Sequence, residues 1–310
     1  MKPECSDTPG QREPTSVIMS DADFAAFAQL IHAKTGIVIN DAKRSMLVSR
    51  LSRRLRDLGL RDFGSYRKLL ASGGDAKEHG PFISAITTNV TSFFREPGHF
   101  DVLAGMVPDF AARAQAGDRI RIWSAGCSSG EEPYSIAMTL KENWATLDRA
   151  DLRILATDID PGMVATARRG IYTAQQVGED PSALLRQNVK RQSDGGDFAI
   201  DPSLRHNLRF EELNLLGPWP FNGMFDVIFC RNVVIYFDAP TRMGLWRRFA
   251  ERRRRPRGTT TRRRRHRRRQ RLAHLLGPPR TRTGGRRPYS VLVHLALRGR
   301  RGQARHLLLG

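Results

Sequence analysis

Residues 119–140 read RIRIWSAGCSSGEEPYSIAMTL, and this stretch decides the fold. Arg119 to Ala125 is an apolar run too short for a buried helix and reads as a buried strand. Gly126, Cys127, Ser128, Ser129 and Gly130 form a small-residue loop. Glu131 and Glu132 then open a helix, with Pro133 near its first position and Ile136, Ala137 and Leu140 inside. Outward from this unit the alternation repeats. Leu152 to Thr157 is a second strand, ending in Asp158-Ile159-Asp160, and Pro161 starts another helix. Leu208 to Leu213 and Phe225 to Cys230 read as third and fourth strands, and Thr241 to Ala250 as a helix with Leu245, Trp246 and Phe249 on one face. Strands alternating with helices predict a parallel, doubly wound sheet. Between Ile171 and Asn207 the pattern weakens to short polar pieces, which suggests an insertion.

Upstream, the period is helical. Ser20 to Asp23 resembles a capping box, Phe24, Phe27, Leu30 and Ile31 follow, and Gly36 stops the helix. A second helix opens near Asp41 with an apolar stripe of Leu47, Leu51, Leu55 and Leu58. Arg50, Arg53, Arg54 and Arg56 crowd it. Two more carry Tyr66, Leu69 and Leu70, then Phe82, Ile83 and Ile86. Short connections between amphipathic helices predict a small all-α domain.

The net charge of +21 is uneven. From Glu251 onward lie 21 of the 52 basic residues, all Arg, and one of the 31 acidic residues, so that tail carries +20 and residues 1–250 only +1. Cys5, Cys127 and Cys230 show no metal-ligand spacing, so no metal site and no disulfide framework are expected. Cys127 and Cys230 read as small buried residues. No signal peptide and no run of about 18 apolar residues occurs, which predicts a cytoplasmic protein.

In an open parallel sheet, ligands sit at the carboxyl ends of the strands. Four features fall there: the 126–130 loop, Glu131, Asp158, and the Cys230-Arg231-Asn232 turn leading to Ile235-Tyr236-Phe237. Each has a plainer reading: a strand-to-helix turn, a helix-dipole interaction for Glu131, a helix cap for Asp158–Asp160. The loop is not GxGxxG, so a dinucleotide pyrophosphate is not the obvious guest. A glycine loop with acids after two strands suits a nucleoside lacking pyrophosphate.

Four long runs now converge: TTNVTSFFRE (87–96), WSAGCSSGEEPYS (123–135), ATDID (156–160) and FCRNVVIYF (229–237). In this order they resemble the CheR-type chemoreceptor methyltransferases over about residues 20–250. The resemblance implies a fold: an N-terminal all-α helical domain, then a Rossmann-like S-adenosylmethionine-dependent methyltransferase domain with a small inserted β-subdomain. The expected division is a disordered leader (1–19), a helical domain (20–90), a linker and connecting helix (91–118), a methyltransferase domain (119–250, insertion about 171–209) and an aberrant Arg-rich tail (251–310).

The resemblance also implies a function, esterification of chemoreceptor glutamates with S-adenosylmethionine as methyl donor. Carried over by motif, Asn89, Thr91, Arg95, Glu131, Asp158, Asn214, Leu215, Arg231 and Asn232 contact the cofactor. Arg95, Arg231 and Tyr236 stand near the reacting centre. The Arg50, Arg53, Arg54 and Arg56 face docks cytoplasmic receptor helices, although a merely solvated face is the plainer reading. The insertion is similar to one that binds receptor tails in some members. A monomer is expected.

After Ala250 the resemblance stops, and the family's strand–turn–strand ending has no counterpart. Arg without Lys reads as GC-rich codons translated out of phase. A basic nucleic-acid arm is the alternative, disfavoured because phosphate accepts Lys as well and Tyr289 is the tail's one aromatic. Loss of the ending predicts a bare sheet edge. A cofactor-binding but catalytically impaired signalling module is the second functional alternative.

Overall fold

The computed structural model describes residues 18–72, 76–193, 196–254 and 291–293. It divides into two compact units, Met1–Thr88 and Asn89–Gly310. Expectations for residues 1–17, 255–290 and 294–310 lie outside the described residues. Met19, counted with the leader, is buried.

The first unit holds α1 (Asp21–Thr35), a 3-10 turn (Asp41–Lys43), α2 (Arg44–Asp57), α3 (Phe63–Ala71) and α4 (Ala76–Ile86). The Ser20 hydroxyl accepts from Asp23 N at 3.0 Å, and Gly36, at φ +73°, closes α1 in the left-handed conformation that favours glycine. Phe27, Phe63, Tyr66 and Phe82 meet at centroid distances of 5.9–6.2 Å, and Leu47, Leu51 and Leu55 are buried with them. Leu58 departs from the predicted stripe. The helix ends at Asp57 and Leu58 is 36% exposed, because leucine spacing continues past the point where the backbone stops.

The arginines of α2 separate into two kinds. Arg53 and Arg56 are exposed. Arg50 donates to Thr87 O at 2.7 Å. Arg54 forks onto the buried Glu78, with Nε–Oε1 at 3.1 Å and Nη2–Oε2 at 2.6 Å, and the Tyr66 hydroxyl donates to the same carboxylate at 2.6 Å. A buried carboxylate is tolerated only when so paired. Arg54→Met therefore destabilises the first unit by about 2–4 kcal/mol in urea unfolding, and adding Glu78→Gln recovers at least half of the loss. Equal stability of Arg54→Met and the parent contradicts this account.

In the second unit α5 (Gly98–Gln115) leads into β1 (Ile120–Ala125) and α6 (Glu131–Asn143). Next come β2 (Leu152–Asp158) and α7 (Pro161–Arg169), then the inserted β3 (Ile171–Tyr172), α8 (Ala174–Val177), α9 (Ala183–Asn188), β4 (Val189–Arg191), β5 (Phe198–Ile200) and α10 (Pro202–Arg205). The core resumes with β6 (Leu208–Glu212), β7 (Val227–Cys230), α11 (Ala239–Glu251) and β8 (Val291–Val293). The main sheet runs β6-β2-β1-β7-β8, and the insertion is a three-stranded antiparallel sheet, β3-β5-β4. β1, β2, β6 and β7 are parallel, with Ile122 opposite Ile154 and Val227, and Ile154 opposite Leu208. The chain steps outward from β1 to β2 to β6, then returns to the other side of β1 for β7. Beside β1 the order reverses, and in open parallel sheets the crevice for a ligand lies at the carboxyl ends of the strands at that point.

The fold class follows the sequence expectation. The edge of β7 does not: β8 pairs antiparallel with it, Cys230 opposite Val291. Chain beyond α11 is held as well. Arg254 N donates to Phe225 O at 2.9 Å, and Phe225 N to Arg252 O at 2.8 Å. Among the described residues no helix is long and apolar enough to cross a membrane, and no group of His, Cys, Asp or Glu could hold a metal ion.

Candidate functional site

The crevice is built on the loop between β1 and α6. Gly126 N and Cys127 N both donate to Thr157 O, at 2.8 and 2.9 Å, and Ser128 N donates to Asp158 Oδ2 at 2.7 Å. Gly130 N turns back to Cys127 O at 3.1 Å. Four of the five loop amides are thus spent inside the protein. A phosphate-binding loop needs those amides free, so this loop is no phosphate cradle.

What the crevice offers instead is carboxylate. Asp158 is 8% exposed and accepts from Ser128 N and Asp160 N, which leaves lone pairs over for hydroxyl donors. Glu131 is buried at the first turn of α6, where Ser129 Oγ donates to it at 2.7 Å and Gln176 Nε2 at 3.4 Å. Burial pushes the carboxyls of Asp158 and Glu131 above their usual range, against the hydrogen bonds that pull them down. Asp160 caps α7 through Gly162 N and also accepts from Asn89 Nδ2 at 2.7 Å.

Asn89 to Glu96 run across the loop as a strap. Ser128 Oγ donates to Asn89 O at 2.9 Å, and Phe94 N to Ser135 Oγ at 2.9 Å. The Phe93 ring meets Tyr172 edge-on at 4.9 Å. Arg95 reaches back to Val90 O at 2.9 Å, and Thr91 is half-buried between them in sequence.

Opposite, Arg231 follows β7 and is buried. Its guanidinium donates to Glu132 at 3.0 Å, pairs with Glu96 at 3.4 Å and donates to the Arg95 carbonyl. Burial raises the Glu132 carboxyl and the Arg231 charge opposes that rise. Asn232 sits at φ +57°, and its Nδ2 is buried with no hydrogen-bond partner among the described residues. Tyr236 ends the following 3-10 turn, half-buried. At the far side Asn214 Oδ1 accepts from Leu216 N at 2.9 Å and Leu215 is buried, in a turn tied to Asp158 by Leu213 N–Asp158 O at 2.8 Å.

The structure therefore brings Asn89, Glu131 and Asp158 to one loop, with Arg95 bound to Arg231 and Asn214-Leu215 joined to the end of β2. Cys127 and Cys230 are buried and free, and burial pushes both thiols up, away from reactivity. The sequence pattern does not single out Glu96, Glu132 or Gln176 as partners. The Glu131-Glu132 pair in one motif is a signal for Glu132; nothing local signals the others.

Chemically the site suits a ligand with hydroxyls that can donate to buried carboxylates. Buried carboxylates beside a glycine loop whose amides are consumed fit a hydroxyl-bearing nucleoside that lacks a pyrophosphate. They do not fit a polyphosphate.

Comparison with known proteins follows the same lines. The family described as CheR methyltransferase, SAM binding domain, matches residues 89–257, and the CheR methyltransferase all-alpha domain matches residues 22–87. A probable chemotaxis protein methyltransferase of Rhizobium etli is 45% identical over 71% of this chain and 84% of its own. The chemotaxis protein methyltransferase of Escherichia coli is 43% identical over 74% and 79%. Chemotaxis protein methyltransferase 2 of Vibrio cholerae is 37% identical over 76% and 82%.

The loop geometry carries a test. Gly126 has φ +85°, and a Cβ there would lie 2.2 Å from Val233 Cγ2. Gly126→Ala combines left-handed strain with overpacking and costs roughly 2–4 kcal/mol in chemical denaturation. Gly105→Ala, in the interior of α5 with nothing within 4 Å, gains about 0.5–1 kcal/mol. The reverse ranking would refute the packing described for the loop.

Proposed function

The chain belongs to the CheR methyltransferase family, and we propose that it transfers the methyl group of S-adenosylmethionine to glutamate side chains of chemoreceptors, giving methyl esters and S-adenosylhomocysteine. One observation carries the reading: the loop after β1 spends its amides internally and faces the crevice with the buried carboxylates of Asp158 and Glu131.

In this reading Asp158 accepts the ribose hydroxyls, and Glu131, with Asn89 and Thr91, lines the donor's path along the strap. Asn214 and Leu215 stand at the adenine end, and Asn232 supplies its unpartnered amide. Bound S-adenosylmethionine supplies an electrophilic methyl on a sulfonium. The substrate glutamate, with an ordinary pKa of about 4.3, arrives already ionised and needs no general base. Catalysis then rests on aligning carboxylate oxygen, methyl and sulfur and on excluding water. Arg95, half-buried on the strap, orients the carboxylate, and Tyr236 borders the reacting centre. Arg231 binds Glu132, Glu96 and the Arg95 carbonyl through its two terminal nitrogens and so fixes the strap, while its buried Nε, without a partner among the described residues, is left for the site.

Of the four arginines on α2, Arg53 and Arg56 are exposed and available to acidic receptor helices, whereas Arg50 and Arg54 are engaged within the unit. The family match favours an enzyme over the impaired signalling module and the nucleic-acid arm.

Purified protein with methyl-labelled donor and a receptor cytoplasmic fragment should give base-labile label on glutamate. Donor binding without transfer would return the impaired-module reading. Arg53→Glu with Arg56→Glu should raise KM for receptor about tenfold, with kcat and donor affinity unchanged; an unchanged KM ends the docking role.

Asp158 adds a pH signature. Its carboxyl is raised above 3.8, so it takes up a proton at higher pH than an ordinary Asp. Donor affinity is then full above the raised value and falls as pH drops through it. Asp158→Asn should weaken binding about 10- to 100-fold at neutral pH and flatten that fall to what Glu131 contributes. A variant with parental affinity and pH profile contradicts the assignment.

A further inference from the structure

The turn after β6 is shaped by a side chain that belongs to none of the four sequence runs. Arg248, on α11, donates Nη1 to Leu215 O at 2.7 Å and Nη2 to Gly217 O at 2.6 Å. Its guanidinium lies 4.1 Å over the Trp219 ring. Trp219 Nε1 donates to the same Leu215 carbonyl at 3.1 Å, and the ring meets Trp123 of β1 edge-on at 4.8 Å. Gly217 N closes the turn onto Asn214 O at 3.0 Å. Two donors on one carbonyl and a planar fork across two carbonyls leave the turn one conformation.

The position of that turn gives the clamp its consequence. β6 lies beyond β2 in the sheet, and the turn begins where Leu213 N meets Asp158 O. In the proposed reading, with the ribose at Asp158 and the base at Asn214 and Leu215, the base lies against this turn, which adjoins the end of β2. We infer that Arg248 is a positioning residue for base recognition, fixing the backbone of Asn214–Gly217 against which adenine is read. This rests on the proposed cofactor and deepens it: the clamp determines how well the site tells adenine from another purine. With the Leu215 and Gly217 carbonyls bound to Arg248 and Trp219, their direction is fixed before any ligand arrives. A base whose exocyclic group changes from amine to carbonyl finds a surface that cannot readjust.

The test compares S-adenosylhomocysteine with its inosine counterpart in calorimetric titrations of the full chain. The parent should prefer the adenine compound. Arg248→Met should lose about 10- to 100-fold in affinity for it and much less for the inosine compound, so that the preference shrinks. Arg248→Lys should behave like Arg248→Met, because one ammonium cannot bridge two carbonyls and stack. Trp219→Phe, which keeps a ring but removes one donor, should shrink the preference partially, and it answers the question if the Arg248 variants fail to fold. Asp158→Asn should weaken both compounds alike. Folded Arg248 and Trp219 variants that keep the parental preference overturn the inference, as would equal losses for both compounds. A parent that binds neither compound overturns the proposed cofactor instead, and this inference with it.

Discussion

Three consecutive amides at the end of β1 are bound by the end of β2: Gly126 and Cys127 by the Thr157 carbonyl, and Ser128 by the Asp158 carboxylate. The rest of the second unit depends on this junction. It draws the loop tight, so Gly126 and Gly130 must turn with positive φ where Val233, Ala167 and Tyr172 leave no room for a side chain. It places Ser128 under Asn89 and Asp160 beside the same strap. It also decides ligand chemistry, since amides already engaged cannot receive an anion. What the loop itself leaves facing a ligand is the carboxylates of Asp158 and Glu131.

Around that junction polar groups are paired across long stretches of chain. Arg231 meets Glu132 and Glu96, and Trp123 Nε1 meets Thr157 Oγ1 at 2.9 Å inside the sheet. The first unit shows the same economy in Glu78, Arg54 and Tyr66. Such pairs add little net stability, because desolvation offsets their attraction, yet removing one partner strands the other. They act chiefly to fix which arrangement is adopted.

Much of this architecture is legible in the amino-acid sequence. The apolar run of β1, its glycine loop and Pro133 announce a strand, a turn and a helix by local physics, and Ser20 and Gly36 mark both ends of α1. Asp158 stands out as an acid at the tip of an apolar strand, and the helix cap, its plainer reading, falls to Asp160 instead. Other features are hidden for a common reason: their partners are distant in sequence. Asn89 pairs with Asp160, 71 residues on, and Arg248 with a turn more than 30 residues earlier. No periodicity records such pairing. The α2 arginines mislead in a different way, since composition alone cannot separate Arg54, facing a buried glutamate, from exposed Arg53. Leu58 keeps the spacing of a stripe whose helix has already ended.

Among the described residues, the non-glycine residues with positive φ are Phe94, Glu96, Ser128 and Asn232. All four lie in the strap, the loop after β1 or the turn after β7. Each conformation costs on the order of 1 kcal/mol when nothing compensates it. The compensation comes from the other segments: Ser128 is held by Asp158 and the strap, and the strap by Arg231 beside Asn232. None of the three is content alone. The crevice therefore assembles as one cooperative unit, and releasing any segment lets the others relax toward ordinary backbone geometry. Substitutions in separate segments should be strongly non-additive, the thermodynamic mark of a site that is either whole or absent.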